Sequence, residues 1–540
     1  MRKTLDRQAA VSRMKVSFKK KQIEQVIVDY ANDGKYGPYN ELLNLLKDKQ
    51  ISDRNFKILF EDCLSCVVYF KNDWKLFVEL LCGIEWINRG PELVDVYSKF
   101  IINLVVTHTY HCQKVMTALV NLFKDEGEKW DDQPSDDQLR QWSHIHSLIA
   151  QIVSLIPMSS NILMPTVMEN FPYYKAGSYA NRAYIHNLIW ITRYIPALKE
   201  QIMYTIIHRM IEMDVNIVDG KDKTAQKIDN ANEETSETLD YCMLEVLKWL
   251  EDERETVLLI FCNVFERIIL RTYGIRYVQF LLLYTISINQ QCADRIFTNL
   301  WTITAGIHGV GPGALTTRKT AISHLAGLLA RCKRIPNSRL VHYLKTMSDW
   351  CHGYIIATQE TSSHDNTKVH SVFHAVCHAI FYLVAFKHNH LFRNKEGFNF
   401  IESLNLARLV TCPLNPLRTC PPQVTRAFSS VTRSHQVVYC QAIIEKNARY
   451  SIHNSVEYDE WFPYDPYTLP KSGKTIWPLC IEYSDWLKEG DDDTQYSSRK
   501  RKLDEDDDFL QVAPTPRQRL SSSLSNCITP GFKSSETIVM

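Results

Sequence analysis

The stretch HSVFHAVCH brings His370, His374, Cys377 and His378 together within nine residues. Offsets of four and seven put His370, His374 and Cys377 near one face of a helix, where imidazole and thiolate could hold a structural zinc. All of these would come from one helix, and the chain has no matching second cluster. CLSC, with Cys63 and Cys66, stands equally alone. The residues read as packed or surface histidines, with no metal and no cofactor. PKSGKT, 470–475, ends like a phosphate-binding loop, but the pattern needs a glycine where Thr468 stands and a buried strand ahead of it. It reads as a solvated loop. GVGPGALTTRKT, 309–320, lacks the dinucleotide spacing and is broken by Pro312, so it reads as a loop before a helix. There is no Gly-x-Ser-x-Gly elbow, no His-Glu-x-x-His and no carboxylate pair set in an apolar helix. An enzyme is not expected.

Two basic clusters remain. In HLAGLLARCKRIP, 324–336, Leu325, Leu328 and Leu329 form a buried stripe, and Arg331, Lys333 and Arg334 crowd before Pro336. Cations favour a helix C-terminus and proline stops the helix, which accounts for the pattern on its own. An exposed basic contact site is the other reading. In SSRKRKLDEDDDFL the run Arg499, Lys500, Arg501 and Lys502 is a nuclear-localisation candidate, or simply a solvated tail. Thr515 and Thr529 precede prolines, and Ser521 and Ser522 follow RQRL, so kinases could act there and add charge.

The elements that carry these residues are helical. In IHNLIWITRYI and QIMYTIIHRMI apolar residues recur at offsets of three and four, which marks a buried stripe. Pro91, Pro157, Pro165, Pro172, Pro196 and Pro336 fall at helix edges, where a missing N–H matters little. One helix runs to about Ile195, Pro196 turns the chain, and a second runs to about Met213. Some twenty such segments before residue 450 make about ten hairpins of ~40–47 residues, the rhythm of HEAT-type repeats. The expected fold is therefore all-α, a HEAT-like solenoid over 21–450; separate helical bundles are the competing arrangement. Residues 1–20 read as a flexible N-terminus. Stretches 124–139 and 214–238 read as acidic, mobile loops, and 490–540 as a disordered tail.

Residues 451–489 differ. DEWFPYDPYTLP packs Trp461, Phe462, Tyr464 and Tyr467 among prolines and cannot be helix. A solenoid's last hairpin needs a cap, so this strip is expected to fold back onto the final repeats, closed by a short helix near 476–488. The net charge of +1 argues against nucleic acid as the main partner, so DNA binding is expected to be weak or absent. Fifteen cysteines scattered through apolar stretches suggest reduced thiols of the cytosol or nucleus. The longest apolar run, YVQFLLLYTISI, is far short of the ~20 residues of a membrane span. No membrane and no signal peptide are expected.

Several segments together carry a resemblance: AYIHNLIWITRYIPALKEQI, RYVQFLLLYTIS, LAGLLARCKRIP, FHAVCHAIFYLVAFKH, LNLARLVTCPLNPLRTCPPQVTRAF, DEWFPYDPYTLPKS and EDDDFL. They resemble, in order over roughly residues 70–510, the RNA polymerase I-specific initiation factors of the TIF-IA type. The resemblance implies a non-catalytic helical-repeat adaptor. It would bridge RNA polymerase I, at its stalk region and large subunit, to subunits of the promoter-bound selectivity factor for ribosomal RNA synthesis. It also implies work in the nucleus and nucleolus, control by phosphorylation, and self-association as a homodimer when free. The family's selectivity-factor motif falls on Leu329, Ala330, Arg331, Cys332 and Lys333, with Cys332 replacing an alanine. Its polymerase-docking, phospho-regulated neighbourhood falls on NLVVTHTYHC, with Ser98, Thr107, Thr109 and Thr117, and its regulatory threonine on Thr109. A nuclear transport receptor, or another helical-repeat adaptor for protein cargo, is the alternative.

Overall fold

Three turns of nearly one backbone geometry set the rhythm of the first half. His108, Ile156 and Ile195 each end a helix with φ/ψ of −134/81, −129/81 and −125/73 degrees. Each is followed by a three-residue 3-10 turn, Thr109–His111, Pro157–Ser159 or Pro196–Leu198, and then by a second helix. Proline fixes its own φ and drives the preceding residue out of the helical region, which explains the last two turns. In the first turn Thr109 takes the proline position. There the backbone is held instead by the His108 ring, whose Nε2 lies 2.9 Å from the Val67 carbonyl oxygen.

The computed structural model describes residues 18–47, 51–124, 130, 133–217, 226–306, 314–358, 369–451, 463–464 and 466–481. Its helices are α1 Gln22–Asp33, α2 Tyr36–Lys47, α3 Asp53–Ser65, α4 Lys75–Cys82, α5 Pro91–Thr107, α6 Cys112–Asn121, α7 Asp136–Leu155, α8 Ser160–Glu169, α9 Ser178–Tyr194, α10 Lys199–Asn216 and α11 Gln226–Asp252. There follow α12 Arg254–Arg267, α13 Phe280–Ile288, α14 Gln290–Ala305, α15 Ala314–Arg331, α16 Asn337–Thr358, α17 Ser371–Phe386, α18 His388–Leu391, α19 Lys395–Ser403, α20 Leu406–Thr411, α21 Pro422–Ser434, α22 Gln441–Ser451 and α23 Pro470–Ile476. No strand occurs among the described residues. The fold is all-α and built from helical repeats. None of its described helices is long and apolar enough to cross a membrane.

The chain divides into two compact units, residues 1–249 and 250–540. In the first, helices two elements apart pack side by side: α3 on α5, α5 on α7, α6 on α8, and α8 on α10. First helices of successive hairpins thus stack in one layer and second helices in another, the arrangement by which repeats bury faces that no single hairpin can. In the second unit α17 is the central rod. Every residue from Val372 to Phe386 is buried, with α15, α16 and α21 packed against it. A helix apolar on all sides belongs in such a place.

Three expectations need correction. Residues 226–238 are not loop; they are the first turns of α11. The stretch 124–139 gives way to α7 at Asp136, where Ser135 and Gln138 form a reciprocal capping box, and Trp130 within it is buried. Pro165 lies inside α8 rather than at its edge. The tail beyond Ile481, with Arg499, Lys500, Arg501, Lys502, Thr515, Ser521, Ser522 and Thr529, lies outside the described residues, as do Trp461, Phe462 and the glycine-rich stretch 307–313.

Candidate partner-binding surfaces

At the turn between α5 and α6, Thr107 and Thr109 are both exposed. The Tyr110 hydroxyl lies 3.3 Å from the Phe70 carbonyl and 3.1 Å from Nδ1 of His108, and His111 Nε2 is 2.9 Å from the same Phe70 carbonyl. These bonds fasten the turn to the preceding one at 66–70. Around the two threonines Val68, Val106 and Tyr110 are exposed, and the next turn adds Leu155 and Met158. Ser98 and Thr117 fare differently. Each is half-buried and donates its hydroxyl to the carbonyl four residues back, Val94 at 2.8 Å and Gln113 at 2.9 Å. Of the four residues, the structure puts only Thr107 and Thr109 on an open edge.

The cluster at the end of α15 is largely covered. Leu329, Ala330, Arg331 and Cys332 are buried, and Lys333 alone reaches solvent. What covers them is a strap, Pro463–Ile481. Lys333 N–H donates to the Leu479 carbonyl at 2.9 Å, and Ile481 N–H donates to the Arg331 carbonyl at 2.7 Å. The Arg331 guanidinium donates to the Ile481 carbonyl at 3.0 Å, and Cys332 pairs with Cys480 in an isolated antiparallel bridge. Of the five residues, only Lys333 presents its side chain at the surface. The motif's first four residues pack within the chain and hold the strap, leaving Lys333 as its only surface side chain.

The described rings of the aromatic strip, Tyr464 and Tyr467, are buried, but not where they were expected. Tyr464 is 1% exposed and Tyr467 6%. They pack against Tyr277, Phe280 and His324, more than a hundred residues upstream, and not on the final hairpins. Gly327 makes this approach possible, since a Cβ there would stand 2.8 Å from the Pro463 carbonyl oxygen and 2.9 Å from the Tyr464 ring. Tyr464 itself sits at φ +76, a conformation that an aromatic residue holds only where its surroundings fix it. PKSGKT is not a solvated loop. It lies in α23, with Ser472 and Gly473 buried. Of the closing helix expected near 476–488, the described residues show a 3-10 turn at Trp477–Leu479, and 482–488 lie outside them.

The histidine cluster serves packing. His374 Nε2 donates to the Leu414 carbonyl at 3.0 Å, and His378 Nε2 to the Pro416 carbonyl at 2.7 Å. They clamp the LNPL stretch, in which Asn415 takes a left-handed φ of +44. Burial pushes His374 down to about 3, so its ring is neutral. The Cys377 thiol is likewise pushed up by burial, as are those of Cys63 and Cys66, the last to about 11. Thiols held protonated are poor nucleophiles and poor ligands. Among the described residues no three His, Cys, Asp or Glu side chains stand together as a metal site would require.

A sequence model of the RNA polymerase I specific transcription initiation factor RRN3 family matches residues 12–254 and 218–487. The chain belongs to this family. It is 26% identical to the mouse (Mus musculus) RNA polymerase I-specific transcription initiation factor RRN3, across 91% of this chain and 85% of that protein. It is 25% identical to the factor rrn3 of Schizosaccharomyces pombe, across 76% and 78%. A crystal structure of RNA polymerase I transcription initiation factor Rrn3 shares its fold, with a TM-score of 0.72 at 20% identity, over 87% of this chain and all of that one. RRN3 proteins are transcription initiation factors, not enzymes.

One buried site centres on a residue that belongs to none of the sequence motifs. Arg182 is fully buried between the rings of Trp130 and Tyr241, 4.7 and 4.9 Å from their centroids. It donates to Glu245 at 2.8 Å and to the Trp130 carbonyl, and His186 Nδ1 lies 3.2 Å from the second Glu245 oxygen. Burial raises the Glu245 carboxyl, but the His186 hydrogen bond and the Arg182 charge outweigh it and leave it below its ordinary value. The only signal in the sequence is an arginine among the buried positions of α9, which also include Asn181, Asn187 and Thr192.

Proposed function

We propose that this RNA polymerase I-specific initiation factor bridges the polymerase to the promoter-bound selectivity factor. The exposed turn at Thr107 and Thr109 is the polymerase-binding edge of the first unit. The observation that carries this reading is the pairing of two accessible threonines with exposed Val68, Val106 and Tyr110 on an edge stapled by His108, Tyr110 and His111. Exposed apolar side chains rimmed by hydroxyls suit a protein partner, and hydroxyls there can be phosphorylated. Thr109 opens the turn that leads into α6, beside that helix's N-terminal end, where negative charge is favoured, so a phosphate there does not disturb its own helix. Its charge acts on the partner instead, and weakens docking by desolvation and repulsion. The factor works in the nucleus, within the nucleolus, where the ribosomal RNA genes are transcribed, and Lys333 is its contact with the selectivity factor at the end of α15.

Recruitment on an immobilised promoter tests the bridge. With the selectivity factor bound, polymerase I should be retained only when this chain is added. Equal retention without the chain would refute bridging. Loss of retention with Lys333→Ala, while free polymerase still binds, would support the Lys333 contact.

A further inference from the structure

The net charge of +1 conceals a division. Residues 250–481 carry 24 Lys and Arg against 16 Asp and Glu, and from Arg295 to Ser348 there is no acidic residue at all. The described chain ends at Ile481, and it ends on cations. Arg331 holds the Ile481 carbonyl, Lys333 and Arg334 stand exposed beside it, and Lys387 shares the Phe386 ring with Arg331 at 5.8 and 5.0 Å. Lys333 and Arg334 form no ion pair among the described residues. Glu251, which faces Tyr284 of α13, is taken up by Arg254 and by the Tyr284 hydroxyl. The twelve residues that follow Ile481, EYSDWLKEGDDD, hold six carboxylates and one lysine.

We propose that the basic surface of Lys333 and Arg334, with Arg331 and Lys387 behind it, is a docking site for an acidic segment, and that its resident occupant is residues 482–493 of the same chain. Three observations converge. The anchor at Ile481 delivers the segment to the site, so little loop-closure entropy opposes docking. The charges are complementary. The strap that positions Ile481 is itself fixed by buried contacts at Tyr464 and Gly327. An exposed pairing of this kind is weak per contact and screened by salt. Because Lys333 is the only surface side chain of its motif, the seated segment and any partner of Lys333 exclude one another. That corollary rests on the contact reading above, whereas the docking itself does not.

Zero-length carbodiimide cross-linking of the full chain tests it. At about 50 mM salt Lys333 should join to Asp485, Glu489 or Asp491–Asp493 of its own chain, several-fold more than exposed Lys474 does, and the link should fall several-fold at about 0.5 M salt. Replacing Asp491, Asp492 and Asp493 by Asn should lower the yield at Lys333 without changing circular dichroism. Equal linking of Lys333 and Lys474 would mean mere proximity and would overturn the proposal. So would a link that salt leaves unchanged, or one that forms between light and heavy isotope-labelled copies rather than within one.

Discussion

The hydroxyl of Tyr464 lies 3.0 Å from Nδ1 of His324, across 140 residues of sequence, and the two rings meet nearly edge to face at 5.7 Å. This contact ties the strap to α15. Tyr464→Phe removes the hydrogen bond and keeps the ring, and should lower stability by about 1–2 kcal/mol. Tyr464→Ala should lower it by roughly 3–5 kcal/mol. Urea denaturation of the full chain separates the two, and equal midpoints for Phe and wild type would show that the bond contributes nothing.

Gly327 is the second half of the same joint. In an exposed helix interior Gly→Ala gains up to about 1 kcal/mol. Here the added Cβ would meet Pro463 and Tyr464, so the sign should reverse. Hydrogen exchange reads this directly. In Gly327→Ala the Lys333 amide, which donates to Leu479, should exchange about tenfold faster, or roughly 1.4 kcal/mol. Unchanged exchange would mean that the strap shifts without release.

The Arg182–Glu245 pair should behave as a buried unit. Arg182→Met leaves the buried Glu245 carboxylate with His186 alone and should cost about 3–5 kcal/mol. Arg182→Met with Glu245→Leu should recover most of that loss, because two well-packed apolar residues replace the pair. A double variant as unstable as the sum of the singles would show that the pair is not coupled.

Acid should weaken the fold through three histidines. Burial holds His146, His324 and His374 down to about 3, against 6.5 for an ordinary imidazole. Below 6.5 the unfolded chain takes up protons that the native rings refuse. Their contribution is therefore full above 6.5 and is lost as pH falls toward 3. At pH 5.5 each should contribute about 1.4 kcal/mol of destabilisation. His324→Gln should flatten the slope of stability against pH by about one proton in that window. A slope identical to wild type would place the proton uptake elsewhere.

The helical repeats were legible because apolar spacing and proline both report local geometry. Pro157 and Pro196 announce their turns; the equivalent turn at Thr109 is silent, since His108 reaches across to Val67 to do what proline does locally. The capping box at Ser135 and Gln138 was readable, and it dates the start of α7 better than the acidic composition around it. Where the strap packs could not be read. Its aromatic residues signal burial, but the partner is chosen by a shape at Gly327 far away in sequence. For the same reason the run 329–333 looks like a contact motif in one dimension, and in three its first four residues are packed beneath the strap and against the core.

The claim on which the rest depends is that the Thr109 turn receives polymerase I. Its most direct test is the affinity of polymerase I for the wild-type chain, Thr109→Ala and Thr109→Asp, measured side by side. Thr109→Ala should stay within about twofold of wild type, and Thr109→Asp should weaken binding by roughly tenfold or more, about 1.4 kcal/mol, with folding unchanged. A Thr109→Asp chain that binds as tightly as wild type would contradict the account.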